Sequence, residues 1–196
     1  AFEVAFSHPL LLSGFKNILI IMVVSVPLSL VMTILCAYFM VSKGMLFKKP
    51  LMYPMLFTMF FGGGLIPSYL NIKELGLYNT LWALILPSAL SLYNAIITKT
   101  AMQNIPESLT ESAYIDGAND PVILVRILLP LIGPTLAVMA LYYGVGQWNS
   151  WFAATIYLSD NSKLPIQAVL RAILIANESI LDTGMEVAGA TLENSY

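Results

Sequence analysis

Four of the eleven acidic residues of this protein lie in one polar stretch, Lys99–Arg126, between two long uncharged runs. Only 10% of the residues are charged, yet the stretch holds four acids: Glu107, Glu111, Asp116 and Asp120. Surface carboxylates bind basic and N–H groups of other molecules through charge-assisted hydrogen bonds. The stretch therefore predicts a contact surface for a partner in water.

A cluster of aromatic and amide side chains ends the next apolar run. Sugar sites stack pyranose rings on Trp and bind hydroxyls through Asn or Gln, and this cluster offers Gln147, Trp148, Asn149 and Trp151. Trp148 lies roughly 27 Å along a helix from Pro130, at the depth where interfacial Trp and Tyr belts occur. Two interpretations stay open: a belt or contact with an external protein, and contact with a substrate. Tyr93 and Asn94 are further candidates for the substrate pathway, with interhelical hydrogen bonding as the alternative.

Other constellations that drive chemistry are missing from the sequence. One histidine, His8, and one cysteine, Cys36, exclude a disulfide framework and most metal and His-based catalytic sites. The chain has no GxxxxGK[ST] phosphate loop, no G-x-S-x-G and no H-E-x-x-H. No catalytic residue, metal site or cofactor of its own is predicted. Energy for active transport would have to come from another polypeptide.

The composition is that of a membrane protein. The chain has 196 residues, 58% of them hydrophobic, and a mean hydropathy of +0.80, whereas soluble domains are about 45–50% apolar. The apolar runs predict an all-α, polytopic transmembrane helical bundle with four spans of about 20 residues, at about 18–41, 51–70, 78–98 and 127–151. The loop 99–126 and an outer segment, 152–196, complete a single transmembrane domain, residues 1–196.

Lysines predict the orientation of the bundle. Lys43, Lys48 and Lys49 follow the first predicted span in a short loop, and such clusters mark the cytoplasmic side. The loop 99–126 is therefore predicted to be cytoplasmic, with both ends of this fragment outside. The chain opens with Ala1 and closes on a polar segment without a closing element, and we expect further elements at both ends.

The second predicted span carries Gly62-Gly63-Gly64 and Pro67, which predict a broken or kinked helix. Such breaks survive in lipid only where protein or a water-filled cavity satisfies the freed backbone groups. One interpretation is close helix packing at small residues. The other is a break that faces a translocation pathway.

The polar stretch itself carries helix start and stop signals. A proline in the first turn and acids near the positive end predict a helix from Pro106 to about Asp116. Gly117 suits the left-handed residue that ends a helix. Asp120 as N-cap and Pro121 at the first helical position predict a second helix. The stretch is thus predicted to be a helix-turn-helix held against the inner membrane face.

The residues of this loop resemble a known family. Glu111-Ser112-Ala113, then Gly117, Ile127 and Leu129-Pro130, match the EAA loop of ATP-binding-cassette (ABC) importer permeases, with Ser112 where the motif usually has Ala. The wider string ESAYIDGANDPVILVRILLPLIGP is similar to that of maltose-type permeases for sugars. FTMFFGGGLIPSYL and GQWNSWFAATIYLSDNSKLPIQAVLR resemble a subgroup for oligosaccharides such as aldouronate or alginate fragments.

The resemblance implies a type I ABC importer permease with a MetI-like core and six spans, one of them before Ala1 and one after Tyr196. It implies a non-catalytic subunit of the bacterial cytoplasmic membrane whose loop docks into a separate ATPase, and ATP and Mg²⁺ would bind on that ATPase. The expected assembly contains a second permease subunit, two ATPase subunits and an external solute-binding protein. The residues expected to couple to the ATPase are Glu111, Ser112, Ala113, Asp116 and Gly117.

Three functions are compatible with these residues. The first is import of a carbohydrate, an oligosaccharide above all. The second keeps the family and changes the substrate to peptides, amino acids or polyamines. The third is a membrane scaffold that uses the polar loop for docking alone.

Overall fold

The computed structural model describes residues 9–42 and 48–175, and the regular elements in these ranges are helical. The prediction of an all-α chain is confirmed. Lys43 and the part of the outer segment after residue 175 lie outside the described residues. The helices are, in chain order, α1 Pro9–Val41, α2 Lys48–Phe60, α3 Leu65–Glu74, α4 Trp82–Ile85, α5 Leu92–Gln103, α6 Glu107–Ile115, α7 Asp120–Leu131, α8 Gly133–Trp148, α9 Trp151–Tyr157 and α10 Ile166–Ile175.

Helix α1 is the element against which the others pack. It is continuous for 33 residues despite Pro27, and its side chains enter three buried clusters. One lies against α5, α6 and α7, a second against α4, α9 and α10, and a third against α5 and α2. Gly14 permits close approach at one end, because a Cβ there would lie 3.0 Å from the backbone of Ile166.

Membrane spans are less regular than the apolar runs predict. In the described part of the chain, α1 alone is long and apolar enough to cross a bilayer unaided, and two bent pairs would raise the number to three. The pairs are α2 with α3, bent by 119°, and α7 with α8, bent by 82°. The predicted spans 51–70 and 127–151 are therefore not single straight helices.

The bend between α2 and α3 confirms the predicted break at the glycines. Residues 61–64 are not helical, and Gly64 has φ 88, which favours glycine. A Cβ built on Gly62 or Gly64 would meet nothing within 4 Å. Close packing against the described part of this chain therefore does not explain these glycines.

The third predicted span, 78–98, is interrupted. Helix α4 ends at Ile85, and α5 begins only at Leu92, with Ser91 as its N-cap. Pro87 contributes to the interruption because it has no N–H to donate, although Leu86 before it keeps helical backbone with φ −67 and ψ −43. We call residues 86–91 the α4–α5 break.

Helix α7 is distorted before it turns into α8. Residues Leu124–Leu128 form a π-helical turn, directly before Pro130, whose ring crowds the preceding turn and which cannot donate a backbone hydrogen bond. The chain then bends at Ile132, and α8 begins with Gly133 and Pro134. Helix α7 therefore lies at a steep angle to α8.

Candidate functional site

The first candidate region, the coupling element, comprises residues 107–131: α6, a short turn and α7. Gly117 ends α6 with φ 81, as its type predicts. Its N–H donates to Tyr114 O at 3.0 Å, and the N–H of Ala118 donates to Ala113 O at 2.9 Å. This pair of bonds is a Schellman motif, which satisfies the last carbonyls of α6 within the element itself.

The start of α7 differs by one residue from the prediction. Asn119, with extended backbone, is the N-cap, and its side-chain oxygen accepts from the N–H of Val122 at 3.2 Å. Asp120 and Pro121 occupy the first helical positions. Asn119 and Asp120 are adjacent residues that both cap helices well. In the structure Asn119 is the cap, and the helix begins at Asp120.

The predicted coupling residues divide into one buried and four exposed positions. Ala113 is 9% exposed and packs in a cluster with Ile123, Leu124 and Leu128 of α7. The others, Glu111, Ser112, Asp116 and Gly117, are exposed. Ala113 thus holds α6 against α7, and the exposed residues form the surface of the element.

A side-chain hydrogen bond that the sequence does not predict joins α6 to α7. The hydroxyl of Tyr114 donates to Asp120 Oδ1, and this bond raises the pKa of the phenol. The hydroxyl of Tyr38, on α1, lies 3.5 Å from the backbone oxygen of Asp120. The coupling element is therefore linked to the long helix α1 at the same residue.

A groove of about 640 Å³ opens beside the coupling element, between it and the ends of α1 and α5. Its lining includes the carboxyl-bearing residues Glu107, Glu111 and Asp120. Asp120 already accepts a hydrogen bond from Tyr114, and Glu111 is a carboxylate of this groove that suits a basic partner group.

The second candidate region is a cleft of about 680 Å³ between the α4–α5 break and α8. Three of the predicted pathway residues, Tyr93, Asn94 and Gln147, line it. The other three predicted pathway residues, Trp148, Asn149 and Trp151, are not part of its lining. The structure thus brings together half of the predicted set.

Gln147 is 4% exposed, and its amide nitrogen is bonded to the wall of the cleft rather than open to it. Nε2 donates to Leu84 O at 3.2 Å and to Ser88 Oγ at 2.5 Å. Ser88 Oγ in turn donates to Leu84 O at 2.9 Å. These bonds satisfy a carbonyl that the end of α4 leaves without a helical partner, as an apolar environment requires.

Tyr143 closes the other side of the break. Its hydroxyl accepts from the N–H of Ser91 at 3.0 Å and lies 2.6 Å from Thr33 Oγ1 on α1. Thr33 is fully buried and Tyr143 is 7% exposed. The break is therefore fastened to both α8 and α1 by buried hydrogen bonds.

Asn94 differs from these residues. It is 6% exposed and lines the cleft, yet its side-chain amide has no hydrogen-bond partner in the described part of the chain. Its backbone is fully used, since Asn94 N donates to Ser91 Oγ at 3.4 Å and Asn94 O accepts from Thr98 Oγ1 at 2.9 Å.

The aromatic cluster of the sequence lies at the end of α8 and the start of α9. Trp148 is half-buried there, and the amide of exposed Asn149 donates to Val145 O at 2.9 Å. The guanidinium of Arg171 lies 3.8 Å from the ring centroid of Trp151, a cation–π contact. This contact joins α9 to α10.

The cleft also contains residues that the sequence did not predict. They are Ser88, Ser91, Tyr142, Tyr143, Ser150 and Tyr157. Pro87 with serines after it in the break, and the Tyr142–Tyr143 pair in an apolar helix, were the signals in the sequence that could have revealed them. Which helix faces which could not be read from either signal.

Comparisons with known proteins agree with this architecture. Residues 4–186 match the family described as "Binding-protein-dependent transport system inner membrane component". The polygalacturonan/rhamnogalacturonan transport system permease protein YtcP of Bacillus subtilis (strain 168) is 41% identical over 180 residues, 92% of this chain and 63% of YtcP. Protein LplC of the same organism is 40% identical over 184 residues, 94% of this chain and 62% of LplC.

A solved structure is similar as well. A bacterial ABC transporter involved in the import of the acidic polysaccharide alginate contains a chain with a TM-score of 0.84 and 29% identity, covering 87% of this chain and 61% of that one. This chain thus spans less than two thirds of the length of these relatives. The family match covers most of the sequence, and the chain belongs to the inner membrane components of binding-protein-dependent transport systems.

Proposed function

We propose that this chain is a transmembrane permease subunit of an ATP-driven importer that moves a carbohydrate, above all an oligosaccharide, across the cytoplasmic membrane. Family membership supports the transport role. The substrates in the names of YtcP and of the alginate transporter support the carbohydrate. The observation that carries the proposal is the exposed surface of Glu111, Ser112, Asp116 and Gly117 on a hydrogen-bonded helical element.

In this proposal the coupling element receives the energy. A separate ATPase, which binds ATP and Mg²⁺, docks on α6 and the groove beside it, and this chain remains non-catalytic. Glu111 offers a carboxylate to that partner, Ala113 keeps α6 close to α7, and Gly117 sets the turn between them. The tie from Asp120 to Tyr38 gives the movement a route into α1.

The proposed assembly has two permease subunits, two ATPase subunits and an external solute-binding protein that delivers the sugar. The coupling element faces the cytoplasm, and both ends of this fragment lie outside. The angle of 82° between α7 and α8 supports a position of α7 along the membrane surface, and the cytoplasmic side follows from Lys48 and its neighbouring lysines.

Reversal of the charge at Glu111 tests the proposal. The full-length permease is purified with its partners, and ATP hydrolysis stimulated by loaded binding protein is measured. Glu111→Lys should reduce the stimulated rate by about 100-fold, because removing a charge-assisted contact and adding a like charge costs about 3 kcal/mol. Folding should be unaffected, since Glu111 is exposed.

Glu74→Lys is the matched control, because Glu74 is also exposed but lies at the end of α3, outside the coupling element. It should leave stimulated hydrolysis unchanged. Equal rates for Glu111→Lys and the unaltered complex would show that the docking role is wrong.

A further inference from the structure

The cleft at the α4–α5 break is suited to bind part of a transported molecule, and the following inference rests on the proposed carbohydrate import. We infer that the cleft is a subsite for one uncharged sugar unit, bound by the Asn94 amide and flanking tyrosine rings. The substrate assigned in this way is a neutral oligosaccharide, not a polyuronate such as those in the names of YtcP and the alginate transporter.

The amide of Asn94 provides the polar part of the subsite. Asn94 is 6% exposed at the wall of an open cleft. Among the described residues, Ser25 Oγ is the one fully enclosed side-chain polar atom without a partner, so the amide of Asn94 keeps contact with the space of the cleft and can bind a ligand there. A sugar presents pairs of hydroxyls that match both of its ends. Asn94 Nδ2 would donate to one hydroxyl oxygen, and Oδ1 would accept from a second hydroxyl.

Tyrosine rings provide the apolar part. Tyr93 and Tyr142 line the cleft from α5 and α8 and are 57% and 52% exposed. A large apolar ring held open beside an unpaired amide suits the apolar face of a pyranose, whose hydroxyls point outward. The cleft volume of 680 Å³ lies within the range of ligand sites, about 300–1,000 Å³.

The rest of the wall is fixed in place. The amide nitrogen of Gln147 and the hydroxyl of Tyr143 hold the break through buried hydrogen bonds, so they are committed to the protein. This leaves Asn94 as the buried amide available to a ligand. Broken helices in transporters place substrate sites beside the interruption for the same reason, because the chain there lines a cavity.

The polar side chains of the cleft determine the class of sugar. Each of them is a hydroxyl or a carboxamide. A uronate carboxylate that entered would lose hydration without gaining an ion pair, which is unfavourable. A neutral sugar exchanges hydroxyl–water bonds for hydroxyl–amide bonds at little cost. The cleft therefore favours the neutral unit.

Uptake by the full-length complex in proteoliposomes tests the inference. Neutral trimers (galactotriose, arabinotriose and xylotriose) are compared with acidic trimers (trigalacturonate and trimannuronate), each with the binding protein present. Galactotriose and trigalacturonate form a matched pair that differs in oxidation at C6. Neutral trimers should be taken up and should stimulate ATP hydrolysis, and the acidic trimers should do neither.

Variants locate the contact. Asn94→Ala should raise the KM for the neutral trimer about tenfold, the effect of losing two neutral hydrogen bonds. Tyr142→Ala should weaken uptake similarly, and Tyr142→Phe, which keeps the ring, should restore it. Asn104→Ala is the control, because Asn104 is exposed at the other end of α5.

Two results would overturn the inference. Uptake of trigalacturonate in preference to galactotriose, or an unchanged KM in Asn94→Ala, would remove the neutral subsite and leave carbohydrate import intact. Stimulation by peptides, amino acids or polyamines with no response to either set of trimers would instead overturn the proposed function itself, and the subsite with it.

Discussion

Both candidate regions are interruptions of helices, and they satisfy their freed backbone groups in opposite ways. In the coupling element, bonds from Gly117 and Ala118 close the end of α6 within the same turn. At the α4–α5 break, Gln147 and Tyr143 reach across from α8. The first region can therefore move without losing the hydrogen bonds that end α6, whereas the second holds its shape only while α4, α5 and α8 stay together.

This difference fits the tasks proposed above for the two regions. An element that receives force from a partner must stay intact while it shifts relative to its neighbours. A wall that recognises a ligand must keep its groups in fixed positions, which buried hydrogen bonds between distant elements provide. Substitutions at the α4–α5 break should accordingly lower stability most, and substitutions in the coupling element should mainly lower sugar-stimulated ATP hydrolysis.

The largest loss of stability is expected for Gln147→Ala. It leaves Leu84 O and Ser88 with one hydrogen bond fewer in a nearly dry site, at a cost of about 2 kcal/mol. Thermal unfolding in detergent measures the effect. Gln103→Ala, at an exposed glutamine, is the control and should change stability by less than about 0.5 kcal/mol. Equal stability of both variants would contradict the comparison.

A smaller loss, of about 1 kcal/mol, is expected for Gly117→Ala. The cause is backbone strain alone, because φ is 81 and a Cβ would meet nothing within 4 Å. Sugar-stimulated ATP hydrolysis should also fall, by more than the loss of folded protein would account for. Gly133→Ala has equal space and no positive φ and should leave both unchanged. A Gly117→Ala protein with normal coupling would show that the turn geometry is not needed.

Tyr114→Phe should cost less than about 1 kcal/mol, since the hydrogen bond to Asp120 is exposed. The bond raises the pKa of Tyr114 above its ordinary value of 10.0. Its stabilising contribution is complete below that value and is lost only as pH rises through the higher, folded-state pKa. The difference between Tyr114→Phe and the unaltered protein should therefore be constant between about pH 6 and pH 9, by denaturation in detergent. A difference that varies in this range would contradict the assignment.

The smallest effect is expected for Trp148→Ala. Trp148 lies outside the cleft, so uptake of sugar should stay within about twofold of the unaltered complex, provided that expression and assembly are normal. Uptake assays with purified, assembled complex measure this. Abolished sugar-stimulated ATP hydrolysis would move the substrate contact from Asn94 toward the aromatic cluster.

The sequence predicts structure well where the determinants are local. Pro106 and Gly117 fix the ends of α6 by their own backbone preferences, and the helix Glu107–Ile115 follows closely. The predicted cap of α7 is one residue late, because Asn119 and Asp120 have nearly equal capping preference. The glycine break before Leu65 is also predictable, since three consecutive glycines strongly disfavour the continuation of a helix.

The cleft could not be predicted in the same way. Its key bond joins Gln147 to Leu84, 63 residues apart, and no periodicity reveals which side chains of two apolar helices will face each other. Pro87 lies in an apolar run that predicts one continuous span, and its effect depends on whether other helices can satisfy the freed carbonyl. The polarity of Asn94 places it among the pathway candidates, but its unpaired amide is evident only from the packing around it.

The bend at Ile132 has a mechanical consequence. Helix α7 contains 12 residues and is therefore about 18 Å long. If α7 and α8 rotate together as one rigid body about Ile132, a rotation of about 10° carries the free end of α7 through about 3 Å and tilts α8 by the same angle. Because the two helices meet at a steep angle, a displacement of the free end of α7 across its own axis becomes a tilt of α8.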